Sequence, residues 1–94
     1  MKKEETKFKE KFVRQLKTIP DLWVEKIQQV AIRGTPDLIL CKGGMFLAVE
    51  LKVNEEEPDE LQKFKMEEIR KAGGIAIVAR PANANIVYDF IKAL

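Results

Sequence analysis

Lys42-Gly43-Gly44 stands between two apolar runs, Leu38 to Cys41 and Met45 to Val53, and no other stretch restricts the possible folds so tightly. Two adjacent glycines supply two positive-φ positions without steric cost, which is the chemistry of a two-residue turn between antiparallel strands. The flanking residues are apolar at successive rather than alternate positions. The two strands are therefore expected to be buried on both faces over much of their length. Such a hairpin needs a covering layer on each side, and the rest of the chain has to provide it.

The periodicities elsewhere do so. Phe8, Phe12, Leu16 and Ile19 recur at spacings of four, four and three, predicting an amphipathic helix over 4–18 that Pro20-Asp21 ends. Leu22 to Val30 has mixed parity and reads as an outer strand, and Ala31 to Pro36 reads as a connection. Pro58 stands where a helix can begin, with Leu61, Phe64, Ile69 and Ala72 on its expected inner stripe and Gly73-Gly74 as its stop. Ile75 to Ala79 is a short, wholly apolar strand. Asn83 is the expected N-cap of a last helix carrying Ile86, Val87, Phe90, Ile91 and Leu94. The order is α-β-β-β-α-β-α. Because Ile75 to Ala79 follows a strand and then a helix, it is expected to join the sheet parallel to Met45 to Val53 through a right-handed crossover.

A chain of 94 residues has the length of one small domain with a single core. At 46% apolar and 34% charged residues, the composition is that of a soluble globular protein, and no apolar run approaches a membrane span. The first residues lack the apolar centre of a signal peptide, and the single Cys41 suits a reducing cytoplasm. The chain contains no histidine, which removes zinc sites of the usual nitrogen and sulfur kind and every nucleophile system that needs an imidazole. Chemistry is left to carboxylates, lysines and an oxygen-ligated hard cation. Net charge is only +2, but residues 1–17 hold seven Lys/Arg against three acids, and residues 55–60 hold five acids. A basic helix of that kind is either a phosphate-tracking surface or a solvated face, and charge alone favours the second.

The hairpin carries the most specific signal. With Gly43 and Gly44 at the centre of the turn, Lys42 faces Met45, Cys41 faces Phe46, and Asp37 falls opposite Glu50. Directly opposed residues have Cβ atoms about 5 Å apart, where like charges repel. The period of two puts Lys52 on the same face as Glu50. Two acids and a lysine among Leu38, Ile39, Leu40, Phe46, Leu47, Ala48, Val49 and Leu51 are costly unless compensated. One account is an ion pair from Lys52 to Asp37 or Glu50 at a frayed hairpin end. The other is a divalent cation between Asp37 and Glu50 with Lys52 beside it, since one lysine cannot neutralise two carboxylates. Carboxylate-held Mg²⁺ or Mn²⁺ suits phosphoryl chemistry. The chain has no glycine-rich nucleotide loop, so no nucleotide cofactor is expected and a polymeric phosphodiester is the better substrate.

Pro36-Asp37, followed thirteen positions later by Glu50-Leu51-Lys52, resembles the P-D…E-x-K core of the PD-(D/E)XK nuclease superfamily. Arg33-Gly34-Thr35-Pro36-Asp37-Leu38 resembles the R-G-x-P-D segment of its VRR-NUC family. Leu61-Gln62-Lys63 resembles that family's L-Q-K segment, and Val78-Ala79-Arg80 stands where the family has a valine-arginine segment. The resemblance runs from the first helix to the last, as one nuclease domain over residues 1–94 with no room for another. It departs at Pro81, where a second arginine is expected, and Arg80 receives no role.

The resemblance implies a restriction-endonuclease-like α/β fold, a mixed four-stranded sheet flanked by helices. It implies Asp37 and Glu50 as metal ligands, the Leu51 carbonyl as a third, Lys52 as the catalytic lysine and Gln62 as a supporting or water-positioning group. A glutamate of the first helix is also implied. Glu4, Glu5 and Glu10 are the candidates, and Glu5, one turn before Phe8, is the choice. Arg33, Lys42 and Lys63 are the cations expected on DNA. Stand-alone proteins of this size resemble virus-encoded, Holliday-junction-resolvase-like enzymes. The expectation is therefore a Mg²⁺- or Mn²⁺-dependent DNA endonuclease acting on branched DNA as a homodimer, away from membranes, in the cytoplasm. A non-catalytic DNA-binding or assembly module on the same fold is the alternative. Trp23 and Cys41 read as core or interface residues.

Overall fold

The computed structural model describes residues 3–28 and 32–94. Its elements are α1 (Glu4–Leu16), β1 (Leu22–Lys26), β2 (Leu38–Lys42), β3 (Met45–Leu51), α2 (Glu60–Lys71), β4 (Ile75–Ala79) and α3 (Ala84–Lys92). The sheet runs β1-β2-β3-β4, so β1 is an outer strand as expected. Gln29, Val30 and Ala31, the end of the predicted first strand and the start of the following connection, lie outside the described residues.

The hairpin sets the register of everything else. Gly43 and Gly44 sit at φ 60° and 81°, both in the left-handed region, and Lys42 pairs with Met45, Cys41 with Phe46 and Leu38 with Val49. Continued one step beyond the paired residues, this register sets Asp37 opposite Glu50. β4 runs parallel to β3, with Glu50 beside Val78 and Leu51 beside Ala79. The Lys52 N–H extends this ladder past the end of β3 by donating to the Ala79 carbonyl at 3.0 Å.

Side-chain parity then divides the sheet into two faces. Leu38, Leu40, Leu47, Val49, Leu51 and Ala79 point to one of them and form a core with Phe12, Leu16 and Ile19 from the α1 side and Val87 and Ile91 of α3. Each large side chain buried there contributes about 1.5–3 kcal/mol. On the opposite face Ala48 and Ala76 are cross-strand partners, and α2 packs against β4 with its Met66 buried.

Several burial expectations need correction. β3 is buried on both faces from Leu47 to Leu51, but β2 is covered on one face only, with Ile39 half-buried and Cys41 exposed, because α2 sits over the β4 side of the sheet. Leu61 and Phe64 are exposed, and the inner stripe of α2 is Gln62, Met66 and Ile69. On α3, Ile86 and Phe90 are also exposed, as is Leu94 beyond its end, leaving Val87 and Ile91 to pack. Trp23 and Cys41 are exposed, which removes the core alternative of their reading and leaves the interface one.

The loop before β2 approaches α2 closely at one point. Gly34 has φ 82°, and a Cβ added there would stand 2.9 Å from the Leu61 carbonyl oxygen. Gly34→Ala is therefore expected to cost about 1–3 kcal/mol, lowering Tm by several degrees. Gly43→Asn, at φ 60° in open space, should leave Tm nearly unchanged because asparagine tolerates that conformation. Thermal denaturation of the two variants checks both.

Candidate active site

Glu50 is the one charged or polar side chain in the buried set of the described residues, at 1% exposure. Its place in β3 explains why: Val49 and Leu51 are fixed to the core, so strict alternation sends Glu50 to the face beneath the start of α2. There one of its two oxygens is satisfied. Gln62 Nε2 donates to Glu50 Oε2 at 2.9 Å. Glu50 Oε1 is buried with no hydrogen-bond partner.

The geometry of Gln62 follows from how α2 begins. Asp59 is the N-cap, and its Oδ1 accepts the Gln62 N–H at 2.8 Å, while the Asp59 N–H donates to Gln62 Oε1 at 2.9 Å. This capping box satisfies two helix-end groups at once. It also leaves the side-chain amide only its NH₂ group to offer, and that group points to Glu50. The helix start thus fixes the orientation of a site residue.

Asp37, half-buried just before β2, is anchored through its own backbone and side chain. Its carbonyl accepts the Ile27 N–H at 2.9 Å, and its Oδ2 accepts the Leu51 N–H at 2.7 Å. Burial pushes the Glu50 carboxyl up from its ordinary 4.5 to about 7. The negative charge of Asp37 adds to the rise and Lys52 opposes it; Asp59 raises it and Lys9 lowers it by smaller amounts. These influences, with the Gln62 hydrogen bond, group Asp37, Lys52 and Gln62 around Glu50, and they add two residues that the sequence did not single out. Lys9 is one of several lysines on the first helix, and nothing in the sequence sets it apart from Lys7 or Lys11. Asp59 was legible as the first member of an Asp-x-x-Gln capping box at the start of α2.

The other expected site residues have partners or positions of their own. Glu5 is half exposed and pairs with Lys9 at 3.1 Å, one turn along α1. Among the described residues no group of three His, Cys, Asp or Glu side chains is arranged to hold a metal, so Glu5 does not join Asp37 and Glu50 here. Lys42 sits at the turn end of the hairpin, about 17 Å along the strand from Asp37 at ~3.4 Å per residue. Its ammonium donates to the Lys92 carbonyl at 3.2 Å and to the Leu94 backbone oxygen. Arg33 is exposed on the loop beside the site, and Lys63, also exposed, is 3.9 Å from Glu60 on the first turn of α2.

A divalent cation suits this arrangement chemically. A carboxylate that is buried, lacks a partner for one oxygen and faces a second carboxylate is short of positive charge, and hard cations take oxygen donors. Asp37 and Glu50 are the side chains that would hold it.

No protein-family profile matches the chain, and no curated protein matches it. A solved structure titled "VRR_NUC domain" does: it superposes with a TM-score of 0.77 and 21% sequence identity, covering 94% of this chain and 97% of the other. The chain shares the fold of that domain, a mixed four-stranded sheet flanked by helices in the order read from the sequence.

The raised Glu50 carboxyl gives a stability signature. The folded protein holds this proton more tightly than the unfolded chain, so Glu50 costs stability progressively as pH rises from about 4.5 to about 7, and the full penalty is present above. Metal-free Glu50→Gln is therefore expected to be more stable than the parent at pH 8, on the order of 1–3 kcal/mol. The gap should close as pH falls toward 4.5. Urea melts of both proteins across this range check it, and parallel curves would remove the buried-carboxylate account.

Proposed function

We propose that this protein is a metal-dependent nuclease that hydrolyses DNA phosphodiester bonds, with Asp37, Glu50, Lys52 and Gln62 as its working residues. The observation that carries the reading is the buried Glu50 carboxylate, with one oxygen unpartnered and the Asp37 charge nearby. The fold shared with a VRR_NUC domain supports it. A Mg²⁺ or Mn²⁺ ion held by Asp37 and Glu50, with the Leu51 carbonyl as a third donor, would polarise a phosphoryl oxygen and acidify a water.

The chain's own residues supply the rest. Gln62 holds one Glu50 oxygen in place, so the carboxylate presents the other in a fixed direction. The Leu51 N–H does the same for Asp37. Lys52, one residue past the end of β3 and near enough to Glu50 to oppose its rise, brings an ammonium to where negative charge accumulates in the transition state and orients the attacking water. Arg33 and Lys63 stand on the loop and helix start that border the site and would meet the phosphate backbone, a contribution that weakens with salt. Lys42, at the turn end of the hairpin, has its ammonium engaged by the Lys92 and Leu94 backbone oxygens. The domain spans residues 1–94, works in the cytoplasm and acts as a C2 dimer, since one chain holds one site and symmetric cutting of two strands needs two. Branched DNA is the proposed substrate.

The test is cleavage of a four-way junction, a flap, linear duplex and single strands in Mg²⁺, Mn²⁺ or EDTA. Metal-dependent cutting is expected, strongest on branched DNA. Lys52→Ala should reduce it at least about 10²-fold with folding and DNA binding nearly intact; a clean preparation that still cuts would remove Lys52 from the mechanism. Asp37→Asn should lose both cleavage and Mn²⁺ binding by calorimetry. A folded protein that binds DNA and cuts none of these substrates would instead be a binding module on the same fold.

A further inference from the structure

Between Lys52 and the helix start at Asp59 runs an acidic segment, residues 53–58, with Glu55, Glu56 and Glu57 exposed. Its two ends both belong to the site: Lys52 at one, and at the other the Asp59–Gln62 box that orients Glu50. A run of like charges tends to extend and move, and movement here would shift both ends. Arg80 opposes that movement from the end of β4. Its Nη1 donates to the Asn54 carbonyl at 2.9 Å and to the Glu56 carbonyl at 2.7 Å, and its Nη2 stands 3.7 Å from a Glu57 carboxylate oxygen.

Arg80 is itself held. Its N–H donates to Asn83 Oδ1 at 2.7 Å, and Asn83 Nδ2 donates to the Val78 carbonyl at 3.1 Å, so the N-cap residue of α3 spends its side chain on the end of β4. The residue before Arg80 accepts the Lys52 N–H. Within the loop, Asn54 Oδ1 accepts the Glu56 N–H at 2.9 Å, and Pro58 is buried. A planar guanidinium reaches two carbonyls and a carboxylate together, which a lysine ammonium on its flexible stem does not reproduce.

We infer that Arg80 is a positioning residue: by clamping the acidic loop to β4 it holds Lys52 and the Asp59–Gln62 box in register with Asp37 and Glu50. The catalytic part of this inference rests on the nuclease reading above. The structural part does not.

The test compares Arg80→Ala and Arg80→Lys with the parent. Amide hydrogen exchange is read at Lys52, at Asn54 to Glu57, and at Gln62. Arg80→Ala should accelerate exchange about tenfold or more, not only at Asn54 to Glu57 but also at Lys52 and Gln62, and should shift the Gln62 side-chain NH₂ resonances. Single-turnover cleavage should fall about 10–100-fold with DNA affinity unchanged. Added guanidinium ion should restore part of the rate, whereas an equal concentration of sodium ion should not. Arg80→Lys, which keeps the charge and the fold, should fall between the two. Faster exchange confined to Asn54 to Glu57, with Lys52 and Gln62 unaffected, would overturn the inference. So would a loss of cleavage matched by an equal loss of DNA affinity, which would make Arg80 a phosphate contact. If the parent cuts no DNA, the nuclease reading fails, and the exchange pattern still decides whether Arg80 holds the loop.

Discussion

A carboxylate is buried in the sheet at Glu50, and the surrounding structure is organised by that fact. An isolated ionised carboxylate in an apolar environment is costly enough that it must be neutralised, paired or hydrogen-bonded. Here the protein meets part of that demand. Gln62 satisfies one oxygen, Lys52 and Lys9 favour the ionised form, and Asp37 and Asp59 disfavour it. The balance leaves a site deficient in positive charge, with one oxygen still unsatisfied. Stability and chemistry pull in opposite directions at this residue, as they commonly do where a site is built for a ligand.

The backbone brings these groups together by ordinary means. The two-glycine turn sets the hairpin register, and that register places Asp37 opposite Glu50. The parallel ladder to β4 carries Lys52 one step beyond the sheet. The capping box of α2 both starts a helix and aims the Gln62 amide, so a secondary-structure signal and a site interaction share the same atoms. Gly34 allows the loop bearing Arg33 to lie against the first turn of that helix, where any side chain would meet the Leu61 backbone. Four chain segments therefore converge on a few side chains, none of which could be placed by its own segment alone.

The element order, the outer position of β1, the hairpin register and the parallel β4 were all legible before the structure. Each depends on local chemistry: glycine at positive φ, the parity of strands and the 3.6-residue period of helices. So was the grouping of Asp37 with Glu50 and Lys52, which follows from parity once the turn is known. Which apolar residues are buried was less legible. Leu61, Phe64, Ile86 and Phe90 fit a helical stripe as well as Met66, Val87 and Ile91 do, and composition does not say how far round each helix its covering layer reaches.

What the sequence by itself determined, then, is the set of elements, their register and the charged cluster at the open end of the hairpin, because these arise from contacts between near neighbours in the chain. The tertiary structure decided the rest. It paired Glu5 with Lys9, and engaged Lys42 with the backbone at the far end of the sheet. It also gave Arg80 a partner in the 54–57 loop. Those outcomes depend on where a long, flexible side chain finds the nearest opposite charge or free carbonyl, and that is a property of packed segments distant in sequence.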